Sequence, residues 1–155
     1  MVSGNYAIGD VTATFKSGAA TGCCTRTVPG IGCKVVDICS LSQGYYFGNS
    51  GHVWPGNVTV GGFIYTEAEG RAIWNCSNQG GISDSKKGFT QIAALKLSGA
   101  YPTGNAAIDA DVVTVETWLA TLGKLVGCSN IPTGNALAGA AAGRIGDWIN
   151  ANHCP

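Results

Sequence analysis

The feature that most constrains this chain is its set of seven cysteines in 155 residues. Cysteine at this density in a small chain is typical of disulfide-stabilised proteins in oxidising surroundings. Because seven is odd, at least one thiol stays free or bonds to another molecule. We predict that Cys154, one residue from the C-terminus, is that thiol, because a chain end can reach a neighbour. The disulfide candidates are the other six: Cys23, Cys24, Cys33, Cys39, Cys76 and Cys128.

A structural zinc site is the alternative use for these cysteines. Such sites usually contain ligand pairs spaced as Cys-x-x-Cys, and this chain has none. The spacing therefore favours disulfides, and we expect neither a metal nor another cofactor. Cys23 and Cys24 are adjacent, and a bond between neighbours would strain the peptide that joins them. We expect them to bond to different partners.

The composition excludes some partners. Charged residues make up 12% of the chain, about half the usual share, and nine basic residues balance nine acidic ones. A nucleic-acid-binding protein needs a basic patch, and no basic cluster here exceeds Lys86-Lys87, so we expect no nucleic-acid partner. No apolar run approaches the length of a membrane span.

A weakly charged, neutral chain with 24 glycines favours self-association, because little repulsion keeps its copies apart. Two interpretations remain open: a surface covered by neighbouring subunits, or a secreted protein with an uncharged polar surface. The first residues lack the basic and apolar pattern of a signal peptide. We therefore expect either that a signal was removed, or that this is a viral structural protein oxidised after release.

The first half of the sequence has the pattern of β-structure. Strands are predicted around Tyr6–Phe15, Cys33–Cys39 and Arg71–Asn75. The clearest signal is a pair of short apolar runs on either side of Gly61-Gly62, a dipeptide that suits a two-residue hairpin turn. A polar, glycine-rich stretch at 79–88 is predicted to be a surface loop.

The second half has helical periodicity. Apolar residues form one stripe at Ile108, Val112, Val115, Leu119 and Leu122, and another at Leu137, Ala141, Ile145, Trp148 and Ile149. Each stripe follows the sequence Pro-Thr-Gly-Asn-Ala, at 102–106 and again at 132–136, so a turn, an asparagine cap and a helix are repeated. The glycines within the second helix indicate close packing against another backbone.

Two carboxylates are the only candidates for catalysis that we retain. Glu67 and Glu69 lie between predicted strands, near the aromatic residues Tyr65 and Trp74, and glycosidases use paired carboxylates. Trp54 could line a carbohydrate groove, so the candidate carbohydrate site is Glu67, Glu69, Trp54 and Trp74. The same stretch also fits a solvated hairpin tip, and the aromatic residues also fit the core.

The sequence therefore predicts an α+β fold in one domain over 1–155. An antiparallel β-rich part at 5–75 (1–78 with its flanking residues) packs with helices at 105–125 and 135–152, within a helical region at 89–155. We expect a non-enzymatic structural subunit of an extracellular or virion assembly: a coat, decoration, tail or filament protein that self-associates or binds other structural subunits. The alternative is a secreted carbohydrate-active enzyme or carbohydrate-binding module.

Overall fold

The structure, a computed structural model, describes residues 11–16, 23–28, 38–48, 52–76, 83–129 and 134–155. The chain divides into two compact units, Met1–Asp37 and Ile38–Pro155. Two compact units need not fold independently of each other. The single domain predicted for 1–155 therefore stays a prediction. The predicted α+β class is confirmed.

The N-terminal unit contains one antiparallel pair of strands, β1 (Val11–Lys16) and β2 (Cys23–Val28). Val11 lies opposite Val28, and Lys16 lies opposite Cys23. The β-structure predicted here is therefore confirmed over the described residues. Most of the strand predicted at Cys33–Cys39, including Cys33 itself, lies outside them.

The hairpin predicted around Gly61-Gly62 is confirmed. Strands β3 (Val58–Val60) and β4 (Phe63–Tyr65) pair antiparallel across this turn. Both glycines have positive φ angles, 58° and 82°, which residues with a Cβ atom rarely adopt. The hairpin follows a short helix, α1 (Gln43–Phe47), in the second unit.

The strand predicted at Arg71–Asn75 is wrong, because these residues belong to helix α2 (Glu67–Trp74) and its C-cap. The side chain of Thr66 accepts a hydrogen bond from the Glu69 backbone, and Glu69 accepts one from the Thr66 backbone. This capping box starts the helix, and Glu67 and Glu69 occupy its first turn rather than a hairpin tip.

Helix α3 (Asp84–Leu97) forms the centre of the second unit. Every residue from Gly88 to Leu95 is buried, because α1, α2, α4, α5 and β3 all pack around this helix. The loop predicted at 79–88 is wrong for its last residues, since α3 begins at Asp84. A helix buried on all sides shows no amphipathic stripe, and that stripe is the usual sign of a helix.

The two predicted C-terminal helices are confirmed as α4 (Ala106–Thr121) and α5 (Ala136–Ala151), capped by Asn105 and Asn135. They share a buried stripe at an offset of 30 residues: Ile108, Val112, Val115 and Leu119 in α4, and Ala138, Ala142, Ile145 and Ile149 in α5. Helix α5 is buried on a second face as well, because it lies between α3 and α4. The prediction that Leu137 belongs to the buried stripe is wrong, since this side chain is 69% exposed.

Two disulfides lie within the second unit, Cys39–Cys154 and Cys76–Cys128. The prediction that Cys154 is free or intermolecular is therefore wrong. The segment after α5 returns to Ser40, where the Ser40 backbone donates to the Asn152 carbonyl and the Cys154 backbone donates to the Ser40 carbonyl. This pairing places Cys154 beside Cys39, so the chain end bonds inside its own unit.

Candidate interaction surface

The predicted carbohydrate-site residue Glu67 is occupied by structural contacts. One carboxylate oxygen accepts a hydrogen bond from the Trp54 backbone at 3.0 Å, and the other pairs with Arg71 Nε at 2.8 Å. Arg71 also donates to the carbonyls of Phe47, Gly48 and His52. Glu67 therefore holds Arg71 in place, and Arg71 ties the chain around residue 48 to α2.

Glu69 has a comparable role at the start of α2. Besides its part in the capping box, its carboxylate pairs with Lys124 Nζ at 2.6 Å. The hydrogen bond from Lys124 and that from the Thr66 backbone lower the pKa of Glu69. Hydrogen bonds from the Trp54 backbone and from Arg71 lower the pKa of Glu67.

These pKa directions bear on the enzyme hypothesis. A glycosidase needs one carboxyl group that stays protonated near neutral pH, which requires a raised pKa. Both glutamates have lowered pKa values and stay ionised. They are suited to accepting hydrogen bonds and not to donating a proton to a glycosidic oxygen.

The predicted aromatic residues contribute to packing. Trp54 is buried, its indole donates to the Tyr46 carbonyl at 3.0 Å, and its ring lies against the Cα of Gly70. Trp74 is partly buried and stacks on Phe47, with Lys86 Nζ 5.4 Å from the ring centroid. The four residues of the predicted carbohydrate site thus lie in one region around α2, where their contacts stabilise the fold, and their role in binding carbohydrate stays a prediction.

A different surface has the properties of a contact site: the groove between α4 and the start of α5. It has a volume of about 390 Å³ and is lined by Val113, Thr114, Thr117, Trp118, Thr121, Asn135, Leu137 and Ala138. Val113 is 56% exposed and Leu137 is 69% exposed. None of these lining residues is charged.

The geometry of the repeat explains why the groove forms. Arg144 of α5 pairs with Asp111 of α4 through two hydrogen bonds of 2.8 and 2.6 Å, whereas Leu137 lies beside the later part of α4. The two helices are therefore antiparallel, and their apolar outer residues meet on one side. Leu137 was predicted to belong to the buried stripe, and the sequence indicated no contact role for Val113 or Trp118. All three residues lie outside the stripe that the two helices share at an offset of 30 residues, and this position could have predicted their exposure.

A second cavity, of about 460 Å³, lies between α2 and residues 124–129. Its lining includes the Glu69–Lys124 ion pair, the exposed Ala68 and Ala72, and Cys128. The segments that continue from Cys76 and from Ser129 lie outside the described residues. We therefore build no site on this cavity.

Within the described part of the chain, no three side chains of His, Cys, Asp or Glu lie close enough together to hold a metal ion. No helix in those same residues is sufficiently long and apolar to cross a membrane. No known family, curated protein or solved structure matches this chain significantly. The two disulfides indicate an oxidising, extracellular-type environment.

Proposed function

We propose that this protein is a non-enzymatic structural subunit of an extracellular or virion assembly, and that copies of the chain contact each other through the α4–α5 groove. The observation that carries the proposal is the uncharged lining of this groove, with Val113 and Leu137 projecting into solvent. Contiguous exposed apolar surface is typical of protein contact sites.

The groove suits a second copy because it offers both parts of a contact. In a twofold arrangement each surface meets itself, so the exposed Val113 and Leu137 of one copy can fill the groove of the other. The chain carries no net charge, so two copies approach without long-range repulsion. Two charged groups near this region already have partners: Arg144 pairs with Asp111, and the Asp84 carboxylate accepts a hydrogen bond from the Asn135 backbone at 2.9 Å.

The free energy gained by burying the exposed side chains shows how strongly the groove can hold a second copy without further contacts. Burying a Val or Leu side chain fully gains about 1.5–3 kcal/mol, so four such side chains in a dimer gain at most about 6–12 kcal/mol. Association costs about 4–15 kcal/mol in lost freedom of motion. Because the terms are comparable, the groove supports weak pairing that depends on protein concentration. A durable assembly needs further contacts.

Sedimentation equilibrium over a concentration series tests the proposal. We expect the average mass of the wild-type protein to rise with concentration above its lowest value. The double variant Val113→Glu/Leu137→Glu should lose this rise, since it places charges in the groove. The matched control is Val53→Glu, which changes a 76% exposed valine outside the groove and should behave as wild type. A wild-type mass that does not change with concentration, or a double variant that still associates, would contradict the proposal.

A carbohydrate-binding module is the second candidate, and one observation favours it. Trp118 lines the groove together with Thr114, Thr117 and Thr121, so an indole ring and hydroxyl groups occur on one uncharged surface. Affinity electrophoresis on a panel of polysaccharides tests it. A mobility shift that Trp118→Ala removes and Trp74→Ala retains would favour this candidate over the structural subunit.

A further inference from the structure

Two short segments of the sequence match Asn-x-Ser/Thr, the acceptor pattern for N-linked glycosylation when x is not proline. They are Asn57-Val58-Thr59 and Asn75-Cys76-Ser77. Because a pattern of three residues often occurs by chance, the structure around each asparagine has to show whether the folded protein can carry a glycan there. The two segments differ in this respect.

Asn57 lies in the loop that leads into β3 and faces solvent. Its side chain is exposed, as are Pro55 and Gly56 before it, and within the described part of the chain it makes no hydrogen bond. A Cβ atom added at Gly56 would meet no atom within 4 Å apart from the adjoining residues, so the space beside Asn57 is open. A glycan is bulky and needs such a position, and attaching one here displaces no contact of the fold.

The second half of the pattern also faces solvent. In β3, Val58 is 4% exposed and Val60 is 1% exposed, whereas Thr59 between them is exposed. The Thr59 carbonyl accepts a hydrogen bond from Lys96 Nζ at 2.9 Å, which holds the strand in place and leaves the hydroxyl group free of hydrogen bonds in the described structure. The amide of Asn57 and the hydroxyl of Thr59, which define the pattern, are therefore both accessible on either side of the buried Val58.

The segment at Asn75 is held differently. Asn75 is the C-cap of α2, with an αR backbone whose N–H donates to the last turn of the helix. Cys76 is 5% exposed and is bonded to Cys128, and Ser77 lies outside the described residues. An enzyme that binds a peptide through its backbone and alternate side chains needs an extended segment. The structure provides one at 57–59 and a helix end with a buried disulfide at 75–76.

We propose that Asn57 is the acceptor for an N-linked oligosaccharide. The donor is a lipid-linked oligosaccharide pyrophosphate of the secretory pathway, which is oxidising and so also suits the two disulfides. In the transfer, the Asn57 amide nitrogen bonds to the anomeric carbon of the first sugar and loses one proton. The bond from that carbon to the pyrophosphate breaks, and its electron pair leaves with the pyrophosphate oxygen. The step therefore needs no oxidant or reductant.

A glycan at Asn57 also has a physical consequence for the hairpin. Ile64 lies opposite Thr59 in the strand pair and is 60% exposed, and side chains directly opposite each other share a face. The sugar would stand beside this apolar side chain and make the surface of a weakly charged chain more soluble. The lining of the α4–α5 groove includes neither Asn57 nor Thr59, so the inference does not depend on the proposed pairing of copies.

Peptide mapping tests the proposal on the chain directed into the secretory pathway of a eukaryotic host by a cleaved signal. Trypsin cuts after Arg71 and separates the candidates, with Asn57 in the peptide 35–71 and Asn75 in the peptide 72–86. After reduction, we expect the first peptide to carry a glycan, and peptide N-glycosidase in ¹⁸O-labelled water should convert it to a labelled Asn57→Asp peptide. Secreted protein in which 35–71 is wholly unmodified, or in which only 72–86 carries a glycan, would overturn the proposal.

Substitutions locate the acceptor and the hydroxyl group that the enzyme reads. Asn57→Gln and Thr59→Ala should each abolish the glycan, whereas Thr59→Ser keeps a hydroxyl group and should retain it. Asn75→Gln is the matched control and should carry the glycan as the wild type does. All three positions are exposed, so the variants should keep the far-ultraviolet circular dichroism of the enzymatically deglycosylated wild type. A glycan that persists in Thr59→Ala, or that disappears in Asn75→Gln, would contradict the assignment.

Discussion

The contact between α5 and α3 allows a test in which two similar substitutions change the free energy of unfolding in opposite directions. Three glycines of α5 face polar side chains of α3: Gly139 lies on Asp84, Gly143 on Lys87 and Gly146 on Gln91. The residue numbers rise together in both helices, so the helices run parallel, and glycine lets them approach closely. The partners differ in how far they can move. We therefore expect Gly143→Ala to raise the free energy of unfolding and Gly146→Ala to lower it.

A methyl group at Gly146 would lie 2.7 Å from Gln91 Nε2 and 3.1 Å from Gln91 Cδ. Gln91 is only 7% exposed, so its side chain has little room to move away from the added methyl group. Overpacking of this kind costs about 1–3 kcal/mol, whereas replacing a helical glycine by alanine gains about 0.8–1 kcal/mol. We expect Gly146→Ala to lower the free energy of unfolding by about 1 kcal/mol.

Gly143 is the matched control. A methyl group there would lie 3.2 Å from Lys87 Nζ, the far end of a long, partly exposed side chain that can turn aside. The gain in helix propensity should then dominate, so we expect Gly143→Ala to raise the free energy of unfolding by about 0.5–1 kcal/mol. Urea unfolding followed by circular dichroism measures both values. If Gly146→Ala is as stable as wild type, or both variants shift in the same direction, the close-packing argument is wrong.

Three further predictions concern the same unit. Because the folded pKa values of Glu67 and Glu69 are lowered, their contribution to stability is present above the ordinary glutamate pKa of about 4.3 and is lost as the pH falls through the folded values. Urea midpoints measured between pH 7 and pH 2 should therefore drop less in Glu67→Gln/Glu69→Gln than in wild type, and an equal drop would contradict these pKa directions. Asn105→Ala should cost about 1 kcal/mol, since its side chain accepts from the first backbone amides of α4, and thermal unfolding that is unchanged would refute the capping role. Removing the Cys39–Cys154 bond as a double serine variant should cost about 4 kcal/mol, because its partners are 115 residues apart, and a urea midpoint equal to that of wild type would show that the bond does not constrain the unfolded chain.

Local sequence patterns were sufficient to predict a helix or turn wherever neighbouring residues alone form it. The turn at Gly61-Gly62 was predictable because positive φ angles select glycine. Helices α4 and α5 were predictable because each has one clear apolar stripe and an asparagine cap. The start of α2 was also present in the sequence as Thr66-x-x-Glu69, a capping box that the short apolar run after it obscured.

Other features depend on contacts between residues far apart in the chain. Helix α3 shows no periodicity because neighbours surround it on every side, and its position follows from tertiary packing. The pairing of Cys39 with Cys154 depends on the backbone contact at Ser40, which no spacing of cysteines reveals. The contacts of Glu67 with Arg71 and of Glu69 with Lys124 also depend on tertiary structure, and they indicate a structural role that the sequence did not show.

The sequence by itself determined the oxidising chemistry, the α+β class and the repeated helix pair, because composition and short-range periodicity encode them. It also determined that at least one cysteine has no partner in the chain, since that follows from an odd count. Only the tertiary structure restricted the unpaired cysteine to the N-terminal unit. Closing the C-terminal unit with its own two disulfides removes Cys154 from the candidates and leaves Cys33 with the adjacent cysteines of β2, where the geometry of an extended strand prevents a bond between neighbours.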